Sequence, residues 1–111
     1  MAIRLPKERD VQRTILQYLR LLGWPAWRFN SGAMQQGDRF VRFNTAKGCS
    51  DLLFIAPGGL FGACEVKCGK NRPTALQAAF LEMVRRSGGV AVVARSVQEL
   101  DAALRERGLI A

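Results

Sequence analysis

Between residues 7 and 22 the apolar positions fall at Val11, Ile15, Leu19 and Leu22, with Leu16 and Tyr18 beside them. Intervals of three and four predict an amphipathic helix. Gly23 follows the last apolar position and Pro25 blocks continuation. Residues 26–30 then read as a short strand, Ser31-Gly32-Ala33 as a break, and residues 39–44, which alternate loosely, as a second strand. The polar stretch from Met34 to Asp38 is expected to form a mobile hairpin or loop.

The middle of the chain changes pattern. Residues 51–56 are an apolar strand opened by an acid and closed by Pro57-Gly58-Gly59, and residues 60–67 answer it across a tight turn. Helical spacing returns from Thr74 to Ser87, through Leu76, Ala79, Phe80, Met83 and Val84, and ends at Gly88-Gly89. Residues 90–94 are continuously apolar, the mark of a strand buried on both faces. Ser96 with Glu99 forms a capping box for a last helix, whose inner stripe is Val97, Leu100 and Leu104. The predicted order is α-β-β-β-β-α-β-α. The helix between the strands at Glu65 and Val90 makes that crossover parallel and right-handed. The expected fold is one α/β domain over residues 1–111, with a mixed central sheet flanked by helices.

Composition narrows the chemistry. The chain has 111 residues, 17 Lys+Arg against 9 Asp+Glu, a net charge of +8 and no histidine. The charge points to an acidic polymer such as nucleic acid. The missing imidazole excludes Ser-His-Asp and Cys-His nucleophiles and His-ligated zinc. Cys49, Cys64 and Cys68 are odd in number and lack a C-x-x-C pair, so they read as reduced thiols rather than a disulfide framework. The first residues carry no apolar signal region, and no apolar run approaches membrane-spanning length. A cytoplasmic protein is expected.

Two acids stand apart. Asp51 leads a strand whose next five residues are apolar, and Glu65 interrupts the run from Phe61 to Val66. An unpaired ion there costs several kcal/mol, so a divalent cation or a lysine should offset it. Strand alternation puts Glu65 and Lys67 on one face with Phe61 and Ala63, while Cys64 and Val66 point the other way. Paired carboxylates suit Mg²⁺ or Mn²⁺, which activate water and stabilise charge on a scissile phosphate; a lysine can orient that water. Taken singly, Asp51 also reads as a turn acid and Glu65–Lys67 as an exposed ion pair.

Gly48-Cys49-Ser50-Asp51-Leu52 followed by Glu65-Val66-Lys67 resembles the PD-(D/E)XK nuclease signature, and within it the virus-type replication-repair nuclease (VRR-NUC) domain. Glu8-Arg9-Asp10-Val11-Gln12 is similar to the first-helix motif of that family, and Arg28-Phe29-Asn30-Ser31-Gly32 to its strand-ending motif. Gln77 stands where the family carries a helix glutamine. The resemblance runs from about Glu8 to Ser96. It departs at Ser50, where many relatives have proline.

The resemblance implies a restriction-endonuclease-like α-β-β-β-α-β core. It implies Asp51 and Glu65 as metal ligands, the Val66 carbonyl as a third, and Glu8 completing the site directly or through water. Lys67 would position or activate the attacking water, and Gln77 would join the catalytic set. Thr74 with Gln77 also spells a capping box, and Glu8 also suits a first helical turn. The implied activity is a Mg²⁺- or Mn²⁺-dependent DNA endonuclease of the stand-alone phage or bacterial type, without organic cofactor. A homodimer cutting branched DNA such as Holliday junctions, in replication, recombination or repair, is implied for these small forms. The alternatives are a catalytically silent nucleic-acid-binding module and a nuclease for linear or single-stranded DNA or RNA.

The cations are unevenly spread. Through Lys47 there are nine Lys/Arg against three acids, so this part carries +6 of the total +8. Arg28, Arg39, Arg42 and Lys47 precede the acidic pair, and Lys70 and Arg72 follow it; all six suit phosphate contacts. Asn30 and Ser31 join them from the strand-ending motif. Trp24, Trp27 and Phe40 suit either base stacking or the core, with the core expected for at least two. Apolar surface around Met34 or Phe40-Val41 is a candidate dimer interface.

Overall fold

The computed structural model describes residues 7–29, the backbone of residues 33–36 and 39–42, and residues 50–111. Three helices, α1 (Glu8–Leu21), α2 (Ala75–Arg86) and α3 (Val97–Glu106), accompany six strands: β1 (Ala26–Arg28), β2 (Ala33–Gln36), β3 (Arg39–Arg42), β4 (Leu52–Ala56), β5 (Leu60–Val66) and β6 (Val90–Ala94). The main sheet has the order β1-β4-β5-β6. β4 is antiparallel to β1 and β5, and β5 runs parallel to β6 across the α2 crossover. This is the expected mixed α/β core.

One expectation is sharpened. Residues 33–36, read as a break ending at Ala33 and the start of a hairpin or loop, form a strand paired antiparallel with β3, from Ala33↔Arg42 to Gln36↔Arg39. Backbone pairing does not require an apolar face, so Gln35 and Gln36 enter the ladder without the alternation that marks a half-buried strand. The pair forms its own two-stranded sheet.

The sheet faces divide as the alternation of β5 predicts. Val11, Ile15 and Leu19 of α1 and Leu100 and Leu104 of α3 pack with Leu52, Phe54, Cys64, Val66 and the buried residues of β6. On the other face α2 sends Leu81 and Val84 against Leu53 and Ala63. Each helix ends in a Schellman motif, with Gly23, Gly88 or Gly108 in the left-handed region after the cap. The backbone bonds Gly23 to Arg20 and Trp24 to Leu19 close α1, so the chain turns at once into β1.

Phe54, fully buried, stacks on Trp24 with ring centroids 5.9 Å apart and covers its cross-strand partner Gly62. A Cβ at position 62 would meet the Phe54 ring at 2.2 Å. Gly62→Ala is therefore expected to destabilise the chain by about 1–3 kcal/mol, as overpacking of a filled core does. Urea unfolding checks this, and an unchanged midpoint would contradict the packing described.

Candidate active site

The hairpin register brings the acids together. Leu52 faces Cys64, so the next step of the ladder sets Asp51 across from Glu65. Asp51 lies just ahead of β4 rather than inside it, and its side chain continues the ladder: the Val66 N–H donates to Asp51 Oδ2 at 3.0 Å. On the other side, the Phe29 N–H donates to the Asp51 carbonyl at 2.8 Å, tying the end of β1 to the same residue. Asp51 is thus held by its neighbours on both sides.

Glu65 is 1% exposed, and neither of its carboxylate oxygens has a hydrogen-bond partner among the described residues. Lys67, 14% exposed, brings its Nζ to 3.7 Å from Glu65 Oε1, an ion pair too long for a hydrogen bond. Burial pushes the Glu65 carboxyl up to about 8, the Asp51 charge adds to this, and Lys67 opposes it. Among the described residues the cluster holds two carboxylates against one ammonium, in a place where water does little to screen them. A hard divalent cation is the kind of group that satisfies such oxygens. The neighbouring Cys64 thiol is buried and pushed up by burial, then by Asp51 and Glu65, which suits a core thiol rather than a nucleophile. The Ser50 hydroxyl is also fully buried, without a partner among the described residues.

The other sequence-read residues fall in different places. Glu8 opens α1, half-buried. The first turn of α1 lies against the β6–α3 junction, where Asp10 and Thr14 line a groove with residues 95–98. That is the Glu65 end of the sheet. No group of three His, Cys, Asp or Glu able to hold a metal occurs among the described residues. Gln77 is engaged at the start of α2: its Oε1 accepts the Thr74 N–H at 2.9 Å, and its own N–H donates to Thr74 Oγ1. Arg28, Lys70 and Arg72 are exposed, and none has an ion-pair partner among the described residues.

Asn30, Ser31 and Lys47 lie outside the described residues, as does Cys49, while Arg39, Arg42, Met34, Phe40 and Val41 are placed by backbone alone. Trp24 is in the core, whereas Trp27 is 38% exposed. A groove of about 480 Å³ lined by Phe61, Phe80 and Met83 opens at the far end of β5 and is not where the acids sit. Two features escaped the sequence reading: the Val66 amide that grips Asp51, and Arg95, whose guanidinium reaches the segment after Lys67. Neither has a local signal, because both partners are fixed by sheet pairing.

A mixed sheet that sets two acids and a lysine at the ends of adjacent hairpin strands marks a nuclease-type domain. Among solved structures, one described as a VRR_NUC domain shares 28% identity with the chain, covers 89% of it and 94% of itself, and superposes with a TM-score of 0.61. A second, described as a VRR_NUC domain protein, has 19% identity, covers 94% of this chain and 89% of its own, and shares the fold at a TM-score of 0.60. No protein-family model matches the sequence, and comparison with curated proteins finds no match. Fold and ordered motifs together support a VRR-NUC domain.

Proposed function

We propose that the chain is a divalent-metal-dependent DNA endonuclease of the VRR-NUC kind, acting by hydrolysis of phosphodiester bonds. The observation that carries this reading is Glu65, a buried carboxylate without a hydrogen-bond partner among the described residues, set across from Asp51 and beside Lys67. Asp51, Glu65 and the Val66 carbonyl would hold Mg²⁺ or Mn²⁺, with Glu8 reaching the site from the start of α1. Bound there, the ion supplies Lewis acidity toward the scissile phosphate and the attacking water.

Lys67 stands between the buried carboxylate and solvent, where its ammonium can hold the attacking water and neutralise charge growing on the phosphate oxygens. The Val66 amide keeps Asp51 aimed at that place. Gln77 can add its amide from the start of α2 while its oxygen caps the helix. Arg28, Asn30, Ser31, Arg39, Arg42, Lys47, Lys70 and Arg72 grip the phosphates on either side. A homodimer working on branched DNA rests on the family resemblance.

Purified protein is expected to cut DNA with Mg²⁺ or Mn²⁺ and to stop in EDTA, with four-way junctions cut faster than linear duplex. Cleavage undiminished in EDTA overturns the metal mechanism. Binding without cleavage under any divalent metal replaces it with a silent DNA-binding module.

A further inference from the structure

The segment that follows Lys67 is tied down by one side chain from another element. Arg95, the first residue after β6, donates from Nε to the Gly69 carbonyl at 3.0 Å and from Nη2 to the Asn71 carbonyl at 2.7 Å. Its own position is fixed in turn. The Arg95 N–H donates to Glu99 Oε1 at 3.0 Å, and the Glu99 N–H donates to Ser96 Oγ at 3.1 Å, the N-cap bond of α3. The capping box expected from Ser96 and Glu99 is therefore only half formed, because the Glu99 carboxylate takes the Arg95 N–H instead of the Ser96 N–H. One residue earlier, the Ala94 carbonyl accepts the Lys67 N–H at 3.1 Å, which extends the β5–β6 pairing to Lys67. Asn71 closes the turn with a bond to the Cys68 carbonyl, and Gly69 supplies the left-handed residue it needs.

Lys70 and Arg72 alternate with the two gripped residues and are exposed. A segment with this many backbone bonds to one guanidinium has little freedom, so the cations on it keep a set distance from Lys67 and Glu65. The planar fork of arginine suits two carbonyls at once; an ammonium does not supply that geometry. Other arginines of the chain hold backbone carbonyls too: Arg20 at Ala26, Arg85 at Ala91 and Arg107 at Gly88 and Gly89. Arg95 differs because its targets, Gly69 and Asn71, alternate with two residues read as phosphate contacts.

We propose that Arg95 is a positioning residue, whose fork across Gly69 and Asn71 holds Lys70 and Arg72 in place as a phosphate clamp beside the acidic pair. The inference rests on the nuclease reading, and it assigns to α3 and β6 a part in DNA binding without contact.

The test uses the full chain, a labelled four-way junction and a labelled duplex, with binding measured in EDTA so that nothing is cut. Arg95→Ala and Arg95→Lys are each expected to weaken binding roughly three- to tenfold. Each should also lower the slope of log affinity against log salt by up to about 1.8, at about 0.9 for every phosphate no longer neutralised. In the Lys70→Ala/Arg72→Ala background the same changes should add almost nothing. Hydrogen exchange at the Lys67 and Asn71 amides should quicken in both Arg95 variants. Full affinity in Arg95→Lys would mean that charge alone matters and overturns the positioning role. So would unchanged exchange, or a weakening that adds in full to that of the double variant. A native chain that binds neither DNA removes the nuclease reading itself, whatever the exchange data show.

Discussion

Glu65→Gln is expected to abolish DNA cleavage and, in the same protein, to raise the stability of the metal-free chain at pH 8. The two effects share one cause. Glu65 is buried and faces Asp51, so its carboxyl is pushed from an ordinary 4.5 up to about 8. Between those values the folded chain binds more protons at this residue than the unfolded chain does. Stability of the metal-free protein therefore falls as pH rises from about 4.5 to about 8, and the full penalty is present above that window. The Lys67 ammonium opposes the shift and limits the penalty to about 1–3 kcal/mol.

Glutamine has the same shape and no titration, so the variant should be more stable at pH 8 and its melting temperature should lose the pH dependence. Divalent metal should raise the melting temperature of the native chain, because a ligand that binds only the folded state stabilises it. The variant should not respond. A lower melting temperature for Glu65→Gln in EDTA at pH 8 would contradict the burial argument, and cleavage retained by the variant would remove Glu65 from the site.

How much of the molecule is legible in its sequence depends on where the information lies. The helices are legible because their apolar spacing and the glycines that follow are local, and the structure closes α1 at Gly23 and α2 at Gly88. The acidic pair is legible because Pro57-Gly58-Gly59 sets the turn, and a turn at a known place sets which residues of its two strands face each other. The β2 strand is legible only as one of two options, a hairpin or a loop, since its pairing with β3 shows no apolar alternation.

Charge is legible only as a total. Arg20, Arg85, Arg95 and Arg107 donate to backbone carbonyls, and Arg105 pairs with Asp101, which also accepts from the Tyr18 hydroxyl between α1 and α3. Part of the +8 thus braces turns and helix contacts, and composition cannot separate those cations from the ones left for a polyanion. The difference is set by carbonyl partners 6 to 26 residues away, a group that every residue carries.

Asp51 combines a structural bond with a chemical one, and two substitutions pull them apart. Its Oδ2 accepts the Val66 N–H at 3.0 Å, and Val66 is fully buried. Asp51→Asn keeps an acceptor oxygen for that amide and removes the charge; Asp51→Ala removes both. Cleavage is expected to fall by about three orders of magnitude in each, since removing one preorganised charged group at a phosphate site has effects of that size. Stability should separate them. Asp51→Ala orphans a buried amide, at a cost of about 1–3 kcal/mol. Asp51→Asn takes a negative neighbour away from Glu65, the second cause of its raised carboxyl, so the metal-free chain at pH 8 should be at least as stable as the native one. The expected order of melting temperatures in EDTA at pH 8 is therefore Asp51→Asn at or above native, and native above Asp51→Ala. Asp51→Asn should still bind DNA, because the basic surface is untouched. Native-like cleavage by Asp51→Asn would end the metal-ligand assignment, and equal melting temperatures for Asp51→Ala and the native chain would end the anchoring role of the Val66 amide.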